Sequence, residues 1–258
     1  MISYFEAESS GNILRGMLHE GYKAIPVIII HGFFSSNKIG SYRLYFEMAD
    51  FLNRSGYTVL RVDLSGMGES DGDIRNIVFQ THVNDICATI RKIAIEKSVE
   101  RFHLVAHCVG CCTVLASLKE IREMVETISF VSPFIPTETN YRKLFGAVEY
   151  DSFGKKPIYH NGMYCDDSFV HAGKLLFNDQ LLKEGMQNKL TVFFPEKDEL
   201  SLLDESVLWA KRNSIDYRLI PNGDHNFHDM TSRKCLYTLI KEKIDGKDGF
   251  YIYQACRS

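Results

Sequence analysis

Apolar residues along the chain fall into two alternating patterns. Short continuous runs of β-branched and aromatic residues are typical of strands buried on both faces of a parallel sheet. Between them lie stretches with apolar positions at helical spacing, such as 41–56, which ends at Gly56, and 79–97. This alternation predicts an α/β fold with a mostly parallel central sheet and helices on both faces. The predicted strands are residues 25–30, 58–64, 101–107, 127–133, 190–196 and 216–221.

The segment from about 134 to 186 departs from this alternation. It carries scattered aromatic residues without a clear strand or helix periodicity. An irregular segment of this length inside a compact domain is usually functional, so we interpret it as an inserted cap with some structure of its own. An ordinary pair of surface helices is the alternative.

Composition limits the classes of function. The 258 residues are 45% hydrophobic, enough for one sizeable core, so we expect a single domain over 1–258. A net charge of -3 lacks the basic excess of a nucleic-acid-binding surface, and the apolar runs are far shorter than the roughly 20 residues of a membrane span. Seven cysteines, an odd number, and an N-terminus without a signal-peptide pattern favour a cytoplasmic location over a secreted disulfide framework. A small molecule is therefore the expected partner, with no nucleic acid and no membrane.

The stretch "VAHCVGCC", residues 105–112, carries the most specific chemistry. It follows a predicted strand and precedes a helix of small and apolar residues, which puts Cys108 at the apex of a sharp turn. A thiol at a helix N-terminus gains thiolate character, and the backbone N–H groups there face any developing anion. Two other interpretations stay open: a buried core cysteine, and a metal or redox C-x-x-C site formed with Cys111 or Cys112. Zinc would require a second ligand pair at suitable spacing, and none stands out.

Four segments together resemble the α/β-hydrolase superfamily. They are "IIIHGFFSSN", "VLRVDLSGMGESDG", "LVAHCVGC" and the pair "FFPEKDELS" with "NGDHNF", in the order of that family. The elbow G-x-S-x-G of the family has Ala106 at its first glycine and Cys108 in place of its serine. The match is most similar to small esterases, including feruloyl-type esterases, and to their thioesterase and acyltransferase relatives. The resemblance implies an α/β-hydrolase fold with a cap between the elbow and the acid loop.

The resemblance also assigns roles to individual residues. It implies Cys108 as nucleophile, Asp198 as acid and His225 as base, with Glu199, Asp204 and His228 as the competing candidates. Backbone N–H groups of Phe33 and Val109 are expected to form the oxyanion hole. His31 is expected to order the oxyanion loop, and His107 to be a packing residue.

These residues predict an enzyme that transfers acyl groups through a thioester on Cys108, either to water or to another acceptor. The expected substrate is a small or medium acyl ester or thioester, free or presented on a carrier, with no cofactor and no metal. One alternative is a serine-type carboxylesterase whose serine has been replaced by Cys108, and another is a non-catalytic ligand-binding protein of the same fold. Aromatic residues of the cap are expected to line the acyl pocket: Tyr141, Phe145, Tyr150 and Phe153.

Overall fold

A computed structural model describes residues 1–32, 36–134, 158–160, 163–166, 168–169 and 185–246. Each of the six predicted apolar runs overlaps a strand, which confirms the α/β interpretation. Two further strands form an N-terminal hairpin, and a short pair lies within the segment interpreted as the cap. The strands are β1 (Ile2–Ser9), β2 (Asn12–His19), β3 (Val27–Ile30), β4 (Val59–Val62), β5 (Phe102–His107), β6 (Val125–Val131), β7 (Ile158–His160), β8 (Met163–Cys165), β9 (Leu190–Pro195) and β10 (Asp216–Ile220).

Eight of these strands form one sheet in the order β1-β2-β4-β3-β5-β6-β9-β10. The last six strands in this order run parallel, β2 pairs antiparallel with β4, and β1 pairs antiparallel with β2. Every residue of the central strand β5 is buried, as a parallel strand covered on both faces requires. The carboxyl ends of the parallel strands therefore meet at one edge of the sheet, where open α/β sheets bind their ligands.

The helices divide between the two faces of the sheet. They are α1 (Leu44–Arg54), α2 (Phe79–Lys97), α3 (Val109–Ile121), α4 (Leu203–Arg212) and α5 (Met230–Ile244). One face packs α2, α3 and α4 against side chains such as Leu104 and Ala106. The other face packs α1 and α5 against Val105 and its neighbours. Successive residues of one strand thus serve opposite cores, because strand side chains alternate between faces.

Two local features differ from the sequence prediction. The helix predicted over 41–56 begins at Leu44, because Tyr42 and Arg43 have positive φ angles and the Tyr42 carbonyl accepts a hydrogen bond from Arg233 on α5. The N-terminal hairpin was not predicted. In the structure, burial alternates along β1, and both residues of the Ser10-Gly11 turn have positive φ, as type I′ hairpins require. The Ser-Gly pair is the part of this hairpin that the sequence shows.

Candidate active site

The three residues predicted as the triad all lie at the carboxyl edge of the sheet. Cys108 directly follows β5, Asp198 follows β9 and His225 follows β10. Cys108 and His225 are more than 100 residues apart in sequence. They lie close together because the parallel strands that precede them end at the same edge of the sheet. All three side chains are buried or nearly so.

Cys108 occupies a strained turn between β5 and α3. Its φ of 53° and ψ of -125° are unfavourable for a residue with a side chain, and such strain is typical of a nucleophile elbow. The turn brings neighbouring backbones very close, since a Cβ added to Gly110 would lie 2.4 Å from the His31 carbonyl oxygen. A Cβ on Gly32 would lie 3.1 Å from the Cys108 Cβ. Glycine is therefore required at position 110, and a side chain at position 32 would be tightly packed against the turn.

His225 connects the sulfur with the carboxylate. Its Nδ1 lies 3.0 and 3.1 Å from the two Asp198 oxygens, and its ring interacts electrostatically with the Cys108 side chain. Burial by itself lowers the pKa of an imidazole, but the negative charges that Cys108 and Asp198 can carry hold the pKa of His225 well above its ordinary 6.5. The imidazole is thus suited to accept a proton from the thiol and remain charged beside it.

Of the candidates for the acid and the base, Asp198 and His225 face each other, and the other three make different contacts. Asp198 Oδ1 accepts the backbone N–H groups of Leu200 and Ser201, which aims the carboxylate at His225. Glu199 instead accepts the backbone N–H of His225 at 3.0 Å. Asp204 lies in the first turn of α4. His228 pairs with Asp224 at 2.5 Å, and its side chain is 39% exposed.

A second layer of polar groups holds the backbone of His225. The His107 Nε2 and the Ser132 hydroxyl both donate to the His225 carbonyl, at 2.9 and 3.0 Å. Ser132 directly follows β6 and has a φ of 43°, so the chain adopts a strained conformation where this contact is made. The His107 Nδ1 lies 2.8 Å from the Tyr45 hydroxyl. The sequence pattern had singled out neither Tyr45 nor Ser132, because their partners are far away along the chain.

Of the two residues predicted to form the oxyanion hole, Val109 lies within the described residues and Phe33 does not. Val109 is the first residue of α3, and N–H groups in the first turn of a helix have no partner within the helix. Phe33 lies outside the described residues. The N–H of Gly32, next to it, already donates to the Tyr45 hydroxyl at 3.2 Å. His31 Nδ1 lies 2.5 Å from the Gly32 carbonyl and its Nε2 accepts the Leu64 N–H, so both nitrogens order this loop.

The other cysteines of the motif are packed in the core. Cys111 donates to the Ala106 carbonyl at 3.3 Å, and Cys112 donates to the Phe134 carbonyl at 3.8 Å. Burial raises the pKa of both thiols above their ordinary value, so they stay protonated. Within the described ranges no group of three His, Cys, Asp or Glu side chains is arranged to hold a metal ion. These contacts favour the core interpretation of Cys111 and Cys112 over a metal site.

The cap contributes few described residues. Tyr141, Phe145, Tyr150 and Phe153, predicted to line the acyl pocket, lie outside the described residues. Phe169 is buried against Phe79 at the start of α2, with ring centroids 5.7 Å apart. Among the helices that the structure describes, none combines the length and the hydropathy needed to cross a bilayer.

Comparison with known proteins gives a consistent fold. Residues 25–152 match the model of the alpha/beta hydrolase fold family. Probable lysophospholipase BODYGUARD 4 of Arabidopsis thaliana is 29% identical over 108 residues, 42% of this chain and 24% of the relative, and BODYGUARD 2 of the same plant is 31% identical over 115 residues, 42% and 22%. The match thus spans about a quarter of the length of these curated relatives.

Solved structures resemble nearly the whole chain. Est1E from Butyrivibrio proteoclasticus with bound ferulic acid has a TM-score of 0.78 at 19% identity, covering 94% of this chain and 98% of Est1E. Alpha/beta hydrolase domain-containing protein 10 from mouse has a TM-score of 0.70 at 19% identity, covering 95% and 99%. The esterase PF2001 of Pyrococcus furiosus has 0.69 at 18% identity, covering 96% and 91%. Together with the eight-stranded sheet, these similarities show that the chain has the α/β-hydrolase fold.

Proposed function

We propose that the protein is an acyl hydrolase or acyltransferase that uses Cys108 as nucleophile, His225 as base and Asp198 as orienting acid. The observation that supports this most directly is the hydrogen bond of the buried His225 ring to Asp198, together with its electrostatic interaction with Cys108 at the strained turn. A structural cysteine would not need an imidazole and a carboxylate aligned behind it.

The first half of the reaction forms a thioester. Because Nδ1 of His225 is engaged by Asp198, Nε2 is the nitrogen that takes the proton of the Cys108 thiol. The thiolate attacks the substrate carbonyl carbon, and the oxyanion that forms accepts the N–H of Val109 in this proposal. The carbon–oxygen or carbon–sulfur bond to the leaving group then breaks, and the leaving group takes the proton from His225.

The second half releases the acyl group. Water, or another acceptor, gives a proton to His225 and attacks the thioester carbon. The second tetrahedral intermediate expels the Cys108 sulfur, which recovers the proton, and the product is a free acid or a new acyl compound. Asp198 stabilises the charged imidazole in both halves without changing its own protonation state.

The substrate class is an ester or thioester with a small or medium acyl group. The neighbour Est1E is described with ferulic acid bound, which supports an aromatic acyl group, while the lysophospholipase names of the curated relatives support a fatty acyl group. The aromatic cap residues Tyr141, Phe145, Tyr150 and Phe153 are our proposal for the pocket that makes this choice.

Intact-protein mass spectrometry tests the proposal. The protein is incubated with p-nitrophenyl acetate, methyl ferulate, acetyl-coenzyme A and a lysophosphatidylcholine. We expect a mass increase of one acyl group, mapped to Cys108 by peptide analysis and absent from Cys108→Ala. Unchanged turnover in Cys108→Ala would contradict the acyl-enzyme and favour a binding protein of this fold.

The variant Cys108→Ser decides whether the site is built for sulfur. If it is, we expect serine to lower kcat by on the order of 10³-fold, because serine depends far more on its base for activation. A gain of activity in Cys108→Ser would instead identify a serine-type carboxylesterase whose serine has been replaced.

A further inference from the structure

A buried chain of hydrogen bonds joins the end of β3 to the loop that carries His225. It runs from the Gly32 N–H through the Tyr45 hydroxyl and the His107 ring to the His225 carbonyl, with distances of 3.2, 2.8 and 2.9 Å. We propose that Tyr45 and His107 are positioning residues that hold His225 in register with Cys108. This proposal rests on the proposed function of His225 as base.

The proton positions in this chain follow from its partners. His107 Nε2 faces a carbonyl oxygen, which can only accept, so Nε2 carries the proton. Burial and the nearby His225 lower the pKa of His107 to about 3, so the ring is neutral and Nδ1 is an acceptor. The Tyr45 hydroxyl must therefore donate to Nδ1, and its oxygen accepts the Gly32 N–H. Each contact has one donor and one acceptor, and only this arrangement satisfies them all.

The same assignment excludes His107 from proton transfer. Both of its nitrogens are occupied, one by Tyr45 and the other by the backbone of residue 225. Its ring lies 5.0 Å from the His225 ring, so a second positive charge there would oppose protonation of the base. A neutral His107 can hold His225 without competing for its proton.

The location of the chain explains why it affects the site. The backbone at Gly32 packs closely against Cys108, because a Cβ added to Gly32 would lie 3.1 Å from the Cys108 Cβ. The backbone of His225 is fixed by few contacts, among them Glu199 on its N–H, and His107 and Ser132 on its carbonyl. Loss of His107 leaves the carbonyl with Ser132 as its remaining described donor. Displacement of a catalytic group by about 1 Å costs on the order of 10²-fold in rate.

Four variants separate this role from a general contribution to stability. Tyr45→Phe deletes one hydroxyl and cuts the chain at its centre. His107→Gln keeps a donor near the Nε2 position and loses the acceptor for Tyr45, while His107→Asn keeps the acceptor and loses the donor to His225. Tyr237→Phe is the matched control. The buried hydroxyl of Tyr237, on α5, donates to the carbonyl of Leu44 on α1, the helix that also carries Tyr45, and it takes no part in the hydrogen-bond chain.

The readouts are hydrolysis of p-nitrophenyl acetate and the rate at which iodoacetamide alkylates Cys108 at pH 6, with His225→Ala as reference. We expect Tyr45→Phe and His107→Gln each to lower kcat by about 10- to 100-fold with KM within about threefold, and the alkylation rate to fall toward that of His225→Ala. Because both cut the same bond, the double variant should lose little more than either single variant. His107→Asn should also lower kcat, whereas Tyr237→Phe should lower only the melting temperature.

The two proposals fail in different ways. An alkylation rate that does not depend on His225 overturns the proposed function and this proposal with it. A rate that depends on His225 but is the same in Tyr45→Phe, His107→Gln and Tyr237→Phe overturns the positioning role alone. Full additivity in the double variant overturns the coupling of Tyr45 to His107.

Discussion

The loop after β10 carries two histidines, each paired with an aspartate, and the two pairs have the same local chemistry but different surroundings. His225 meets Asp198 through Nδ1 at 3.0 Å, and His228 meets Asp224 through Nδ1 at 2.5 Å. The side chains of the first pair are 3% and 5% exposed, whereas those of the second are 39% and 31% exposed. The shorter contact is thus the one in water.

The two pairs differ in burial and in the presence of a third partner, and it is these two features that distinguish the proposed catalytic pair. His225 has Cys108 on its other side, and its backbone is held by His107 and Ser132. His228 packs edge-on against the exposed ring of Tyr42, where solvent screens the charge of its pair. In the buried pair the charges of Cys108 and Asp198 overcome desolvation and raise the pKa of His225.

Replacing each histidine should separate the pairs most strongly. We expect His225→Ala to lower kcat/KM by on the order of 10³-fold or more, because the nucleophile loses its base. His228→Ala should change it by less than about threefold, as expected for an exposed pair. Steady-state hydrolysis of p-nitrophenyl acetate measures both, and a larger loss in His228→Ala would exchange their roles.

Replacing the two aspartates should separate the pairs in the same direction, with a smaller difference in kcat than for the histidines. Asp198→Asn should lower kcat by on the order of 10²-fold or more, since the amide no longer stabilises the charged imidazole or fixes its tautomer. Asp224→Asn should leave kcat unchanged and lower the free energy of unfolding by less than about 1 kcal/mol. Kinetics and urea unfolding of both variants test this. Equal losses of kcat would remove the distinction between the pairs.

Thiol reactivity should depend on the buried pair alone. At pH 7 we expect iodoacetamide to modify Cys108 at least about tenfold faster than Cys87, Cys111 or Cys112, because the imidazolium of His225 and the start of α3 stabilise its thiolate. Cys235 is disulfide-bonded and does not compete. Peptide mapping at limiting reagent gives the order. The preference should be lost in His225→Ala and kept in His228→Ala, and first labelling of Cys111 would contradict the elbow.

The dependence of stability on pH should report the neutral state of His107, which lies next to the His225–Asp198 pair. The pKa of His107 is lowered to about 3 by burial and by the nearby His225, so below the unfolded value of about 6.5 the unfolded chain binds a proton that the folded chain does not. Stability therefore falls as the pH drops from 6.5 toward 3, by up to about 1.4 kcal/mol per pH unit for this residue. Urea unfolding at pH 4 to 5.5 should show a shallower loss in His107→Gln. His225→Gln should keep the full slope, because a raised pKa leaves His225 protonated in both states there.

The strand pattern and the nucleophile turn could be predicted because they depend on neighbours in sequence. Continuous apolar runs gave each parallel strand, and the helix predicted over 79–97 coincides with α2. The position of Cys108 between a predicted strand and a predicted helix, with Ala106 at the first glycine of the family motif, indicated the elbow. The predicted helix start at residue 41 was wrong by three residues, because Arg233, 191 residues away from Tyr42, fixes the turn that precedes Leu44.

The sequence by itself predicted the fold class, because local periodicity indicates strands and helices, and its resemblance to the α/β-hydrolase superfamily implied the three residues of the proposed triad. Only the tertiary structure decided that Glu199 holds the backbone of His225 while Asp198 faces its ring. It also decided that Tyr45 and Ser132 belong to the site. His107 and His225 are 118 residues apart, and their hydrogen bond exists because parallel strands end at one edge of the sheet. No pattern of neighbouring residues carries that information.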